Sequence, residues 1–127
     1  MLTFYCPGCW KDFREDLDRC PSCGLDIRGF CRSRDWVDKV ILALAHPEPT
    51  TPERAAWILG RLREARAVEP LSRLARTSSN TYTVRAAVIA LGEIGTPEAR
   101  KVLTGLRHHR ARMVREAVAT ILEQPEH

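Results

Sequence analysis

Four cysteines carry the clearest chemistry in this chain. Cys6-Pro7-Gly8-Cys9 and Cys20-Pro21-Ser22-Cys23-Gly24 form a C-x2-C-x10-C-x2-C pattern. A tight turn that presents two thiolates suits one edge of a tetrahedral metal site, and two such turns complete a closed four-sulfur site for Zn2+. Proline after the first cysteine of each pair pre-sets the turn, and Gly24 can take φ > 0, so that backbone N–H groups point at the sulfurs. With sulfur at all four corners no position is open to substrate. The expected cofactor is therefore one structural zinc ion, held by Cys6, Cys9, Cys20 and Cys23. Such an ion supplies folding free energy that a segment of about 25 residues has too little apolar surface to find. Two disulfides would need an oxidising compartment. A redox C-x-x-C is expected beside a βαβ pattern, which this sequence lacks. Cys31, the fifth cysteine, reads as a small buried hydrophobe between Phe30 and Trp36, with a redox handle or a spare ligand exchanging with Cys23 as the alternatives.

The cysteine segment resembles the short zinc-ribbon family, whose wording is a hydrophobic residue, C-P-x-C-G, about ten residues, then C-P-x-C-G again. Phe4 and Tyr5 supply the leading hydrophobics and the four cysteines match the ligands. Rubredoxin-like iron sites use similar knuckles at a longer separation with a larger aromatic core. One residue departs from the pattern. Trp10 stands where the first knuckle would carry glycine, so that turn is expected to be strained or differently shaped.

No other constellation of catalytic type stands out. The sequence has no G-x-S-x-G, no H-E-x-x-H and no phosphate-cradling glycine loop. His108 and His109 are adjacent and point apart on a helix or turn, and no carboxylate pair can be defended by spacing alone. One charge feature rises above background: Arg100, Lys101, Arg107, Arg110, Arg112 and Arg115, with two histidines and no acidic residue among them. It lacks aromatic residues on which bases could stack.

The elements that must carry these residues are helical and repeated. Val84–Gly95 reads V-R-A-A-V-I-A-L-G-E-I-G, and a shift of 32 residues pairs Ala55 with Ala87, Leu59 with Leu91, Gly60 with Gly92, Leu71 with Leu103 and Leu74 with Leu106. A shift of 30 pairs Val84, Arg85, Ala87 and Val88 with Val114, Arg115, Ala117 and Val118. Self-similarity at this period marks stacked helical pairs, each too poor in apolar surface to fold alone. The expected helices are 34–45, 52–63, 66–77, 81–94, 97–107 and 111–123, in a cysteine module of residues 1–31 followed by an array of residues 32–127. Thr51-Pro52-Glu53 and Thr96-Pro97-Glu98 read as two copies of one helix start, Thr capping and Pro in the first turn. Gly60 and Gly92 read as helix-end glycines that let the chain turn.

V-R-A-A-x-x-A-L-G-x-x-G followed by x-E-A-x-x-x-L resembles the HEAT repeat, in particular its short phycobilisome-lyase-like variety, over about residues 35–123. The resemblance implies a mostly α fold, a short α-solenoid of antiparallel helix pairs, and a non-catalytic protein-binding scaffold. It implies that the second helix of each pair lines the concave face, which puts Lys39, Glu69, Ser72, Arg73, Arg76, Lys101, Thr104 and His108 there. It also implies that Arg85 and Arg115 tie neighbouring repeats together.

Composition agrees with a folded protein: 44% of residues are apolar, and the net charge is +4. Residues 1–33 hold five basic and five acidic side chains, so the surplus lies in the array; 17 of the 20 basic residues are arginine, read mainly as a genome-wide preference. No apolar run reaches the ~18 residues of a membrane span and the N-terminus lacks the features of a signal peptide, so a cytoplasmic location without membrane contact is expected. The function expected is an adaptor that binds another protein, with Arg73, Arg76, Lys101, Arg107, His108, Arg110 and Arg112 as the candidate contact residues. The rival reading is a nucleic-acid module whose 100–115 stretch holds the phosphate backbone. Helix 111–123 lacks a second helix, and its apolar stripe is wide enough either to sink into the preceding pair or to pair two chains as a homodimer.

Overall fold

The computed structural model describes residues 3–124. Two short strands, β1 (Phe4–Tyr5) and β2 (Asp12–Phe13), pair antiparallel with Phe4 opposite Phe13. Seven α-helices follow: α1 (Ile27–Arg32), α2 (Trp36–Leu42), α3 (Thr50–Arg61), α4 (Val68–Thr77), α5 (Thr81–Ile94), α6 (Pro97–Gly105) and α7 (Arg112–Leu122). Short 3-10 turns, Ala43–Ala45 and Ala65–Ala67, extend α2 and precede α4. The mostly α architecture is as the sequence predicts, with one helix more than the six expected. α1 crosses the expected module boundary at residue 31; Asp26 starts it by accepting the N–H of Gly29. Asp35 likewise starts α2 at Trp36, two residues later than periodicity suggested, by accepting the N–H of Asp38 at 2.8 Å.

The array has two layers. First helices α3, α5 and α7 lie side by side, and the second layer runs from α2 and its 3-10 turn through α4 to α6. α5 sits at the centre, touching α3, α4, α6 and α7. The large apolar residues at the centre of the repeat match are lost from solvent. Leu59 and Leu91, Leu71 and Leu103, Val88 and Val118, and Val84 and Val114 are all buried. Each such side chain contributes about 1.5–3 kcal/mol by leaving water, which is how the repeats stabilise one another.

The paired glycines also face inward. A Cβ on Gly60 would lie 2.7 Å from Ala90 Cα, and one on Gly92 would lie 2.8 Å from Ile121 Cγ2. Both lie in the last turns of their helices, as expected, and Gly60 O accepts the N–H groups of Leu62 and Arg63 that end α3; they are also packing glycines that let α3 approach α5 and α5 approach α7. The left-handed turn after α5 belongs to Gly95, at φ 68°.

The two Thr-Pro-Glu starts differ. Thr96 is extended and accepts the N–H of Ala99, with Pro97 next, as expected. Thr51 does not cap: α3 begins a residue earlier, and Glu48 closes its end by accepting from Thr50 N–H, Thr50 Oγ1 and Thr51 Oγ1. The left-handed Gly95 frees Thr96 from α5, whereas Pro49 is already in helical conformation and carries Thr51 into the helix. These bonds hold Glu48 at a pKa of about 2, Thr50 and Thr51 hydroxyls being the main cause.

Candidate functional site

The two cysteine knuckles are built alike. Cys6 N–H donates to Lys11 O and Trp10 N–H to Cys6 O, at 3.0 and 2.8 Å; Cys20 N–H donates to Leu25 O and Gly24 N–H to Cys20 O, both at 3.0 Å. Each turn aims amides at its own sulfur. Gly8 N–H reaches Cys6 Sγ at 3.3 Å, and the N–H groups of Ser22 and Cys23 reach Cys20 Sγ at 3.4 and 3.5 Å.

Facing each other, the knuckles bring Cys6, Cys9, Cys20 and Cys23 together, with all four sulfurs within 4.8 Å of one another. Cys6 Sγ and Cys23 Sγ are 3.6 Å apart, Cys9 Sγ and Cys20 Sγ 3.7 Å. A tetrahedron with metal–sulfur bonds of ~2.3 Å has edges of about 3.8 Å, so the spacing fits a four-coordinate ion. The sulfur environments are unequal. The N–H bond from Cys23, with those of Ser22 and the neighbouring thiols, outweighs burial and lowers Cys20 to about 6. Cys23 receives a lowering N–H bond from Leu25, but desolvation and the crowding thiols outweigh it and raise the group to about 11. Four crowded thiols cannot all ionise by themselves; a cation among them removes that conflict and displaces the protons.

Trp10 resolves the question its identity raised. Its φ is 62°, and it occupies the position that Gly24 fills in the second knuckle at φ 80°. The hydrogen bonding is the same, so the turn is strained rather than differently shaped, at about 1–2 kcal/mol for a non-glycine residue. The side chain gains a contact in return. The Trp10 ring lies 5.0 Å from the His46 ring and Tyr5 4.4 Å from it, both edge-on. His46 closes the α2 segment, and its Nδ1 accepts the N–H of Glu48. The strained knuckle thus seats the cysteine module on the array. Cys31 is half-buried beside Tyr5, Trp10 and Phe30, while Trp36 stands exposed instead of covering it.

The seven candidate contact residues are distributed over several surfaces. Arg76 and Lys101 line a shallow groove between α4 and α6, and Lys101 and Arg107 line another beside it. Arg73 is exposed on α4 and pairs with Glu69 at 3.4 Å. His108 and Arg110 are exposed in the turn after α6, and Arg112 pairs with Glu116 on α7 at 2.8 Å. Ser72, expected on the open face, is buried and donates to Val68 O. Lys39 borders the crevice between the cysteine module and the array.

Arg115 ties α7 back to the preceding turn, donating to His109 O and Arg110 O at 2.7 and 2.9 Å. Arg85, its repeat partner, makes no such bond among the described residues; the start of α5 is closed by Asn80, which accepts from the N–H groups of Tyr82 and Thr83. Arg85 instead lines a cleft between α3 and α5 with Arg54, Trp57 and Tyr82. Neither aromatic is among the positions paired by the repeat, so no sequence signal marked them. On α7, Val114 and Val118 are buried, and Met113, Ala117, Ile121 and Leu122 are half-buried.

Antiparallel helix pairs stacked in two layers, preceded by a four-cysteine module positioned to bind a metal, define an α-helical repeat protein. The chain belongs to the HEAT-repeat family: the family model described as HEAT repeats matches residues 37–123, from α2 through the end of α7. No curated protein matches the chain. Among the described residues no helix is long and apolar enough to cross a membrane.

Proposed function

We propose that this chain is a non-catalytic, cytoplasmic adaptor in which the HEAT array binds another protein. A structural zinc ion holds the cysteine module as the N-terminal cap and second contact of the array. Zinc is favoured by the donor set, four sulfurs at tetrahedral spacing with amides aimed at two of them. HEAT repeats commonly mediate protein interactions, and the observation that carries the reading is what this array leaves outside. Trp36, Trp57, Leu62 and Tyr82 are each half or more exposed; Trp57 and Tyr82 share one cleft, and large apolar side chains gathered at a surface mark contact with a partner.

The test is capture on the immobilised full chain from an extract of the producing cells, with and without nuclease, read by mass spectrometry. A protein partner retained after nuclease treatment supports the adaptor. Tight binding of random-sequence DNA or RNA at physiological salt, falling linearly in log[salt] and abolished by substitution of Arg107, Arg110 and Arg112, would replace it with phosphate-backbone binding.

A further inference from the structure

The cleft between α3 and α5, about 410 Å3, joins exposed aromatics to two arginines. Trp57 on α3 and Tyr82 on α5 flank it, 59% and 63% exposed. Ala86, Ile89 and Ala90 of α5 contribute its apolar lining, and Arg54 and Arg85 border the same space. Among the described residues neither arginine is engaged in an ion pair or hydrogen bond. Its two carboxylates are unequal. Glu93 lies 3.8 Å from Arg61, whose guanidinium also stands 5.4 Å from the centre of the Trp57 ring, whereas Glu53 is exposed and has no ion pair or hydrogen bond among the described residues. An apolar slot is thus flanked by two uncommitted guanidinium groups against one uncommitted carboxylate.

We propose that this cleft docks a short acidic segment of a partner protein that carries one aromatic or aliphatic side chain. That side chain packs between Trp57 and Tyr82 over Ala86 and Ala90, and flanking carboxylates bind Arg54 and Arg85. The proposal rests on the adaptor reading and places the contact on the first-helix layer, away from Arg76, Lys101 and Arg107. A guanidinium receives a carboxylate in a two-pronged, charge-assisted geometry. Tryptophan, tyrosine and arginine around a desolvated centre are the usual anchors of protein contacts. A nucleic-acid strand could stack on the same rings. Backbone binding uses a run of cations along the strand, and two arginines flanking one slot do not make such a run. The basic stretch from Arg100 to Arg115 contributes nothing to the cleft.

The experiment is selection from a random 12-residue peptide display library on the full chain, then titration of the recovered peptides by fluorescence anisotropy. Peptides rich in Asp and Glu around one aromatic or aliphatic residue are expected. Their affinity should fall at least tenfold in Arg85→Glu and in Trp57→Ala, and stay within twofold in Lys101→Glu. Circular dichroism melts of each variant separate lost binding from lost folding, and Arg54→Gln and Tyr82→Ala give a second pair on the same cleft. Peptides that depend on Lys101 and not on Arg85 or Trp57 would overturn the cleft while leaving the adaptor standing. Recovery of no peptide that depends on Arg85 and Trp57 would also overturn it. Binding of single-stranded RNA that competes at Trp57 would overturn cleft and adaptor together. A dimer seen by light scattering and dissolved by Trp57→Ala would assign the cleft to a second copy instead.

Discussion

Gly60→Ala is expected to destabilise the protein although alanine is the better helix former. The glycine lies in the last turn of α3, where replacing it with alanine gains at most the ~1 kcal/mol of a helix interior. The structure supplies the opposing quantity. The added Cβ would sit 2.7 Å from Ala90 Cα, 3.0 Å from Ala90 Cβ and 3.1 Å from Glu93 Oε1, against an ordinary carbon contact of about 3.5–4.0 Å. Glu93 can swing away, but Ala90 is backbone of the central helix. α3 and α5 must therefore separate, and overpacking of this kind costs about 1–3 kcal/mol. The net expectation is a loss of about 1 kcal/mol, or a fall in Tm of about 3–6 °C for a chain of this size. Gly105 is the control, because a Cβ there meets nothing within 4 Å. Gly105 ends α6, so Gly105→Ala should leave Tm unchanged or raise it slightly through helix propensity. Thermal melts followed at 222 nm decide the matter. If Gly60→Ala melts as high as Gly105→Ala, the first helices are not packed through their glycines and the stacking described here is wrong.

Trp10→Gly should relax the strained knuckle and at least preserve metal affinity while weakening the hold of the cysteine module on His46, which Tyr5 alone would then contact; faster proteolysis between residues 24 and 35 with unchanged metal content is the expected pair of readings. Glu48 titrates at about 2 in the folded chain, below its ordinary 4.5, so its contribution to stability is complete above 4.5 and is lost as pH falls toward 2. Glu48→Gln should accordingly lower Tm at pH 7 and bring variant and wild type together near pH 2. Thr96→Ala removes the cap on Ala99 N–H and should cost about 1 kcal/mol, whereas Thr51→Ala should cost less, since Thr51 only supports Glu48; urea denaturation of the two variants checks the order.

Much of this fold was legible because its physics is periodic. The 32-residue shift that pairs Leu59 with Leu91 and Leu71 with Leu103 finds the core directly, since those four leucines are buried together. The cysteine site was legible for a similar reason, as two short turns fix four sulfurs locally. What escaped depends on contacts between elements distant in sequence. Nothing in G-R-L or G-E-I reveals that Gly60 and Gly92 meet the next first helix. The shared wording of Thr51-Pro52 and Thr96-Pro97 conceals different neighbours, helical Pro49 in one case and left-handed Gly95 in the other. Arg85 and Arg115 match in the repeat, yet only Arg115 finds free carbonyls in the turn before its helix. The cleft of Trp57 and Tyr82 is invisible to the repeat match, because neither residue lies on the matched stripe.

The central claim is that a zinc-held module and a self-standing repeat array share one chain. Elemental analysis of the reduced, purified protein, combined with its circular dichroism before and after chelation, tests it most directly. One zinc per chain is expected, released by the chelator with most of the signal at 222 nm retained, because the helices stack on their own buried leucines and valines. Iron in place of zinc, no metal in a folded sample, or collapse of the helical signal on metal removal would contradict it.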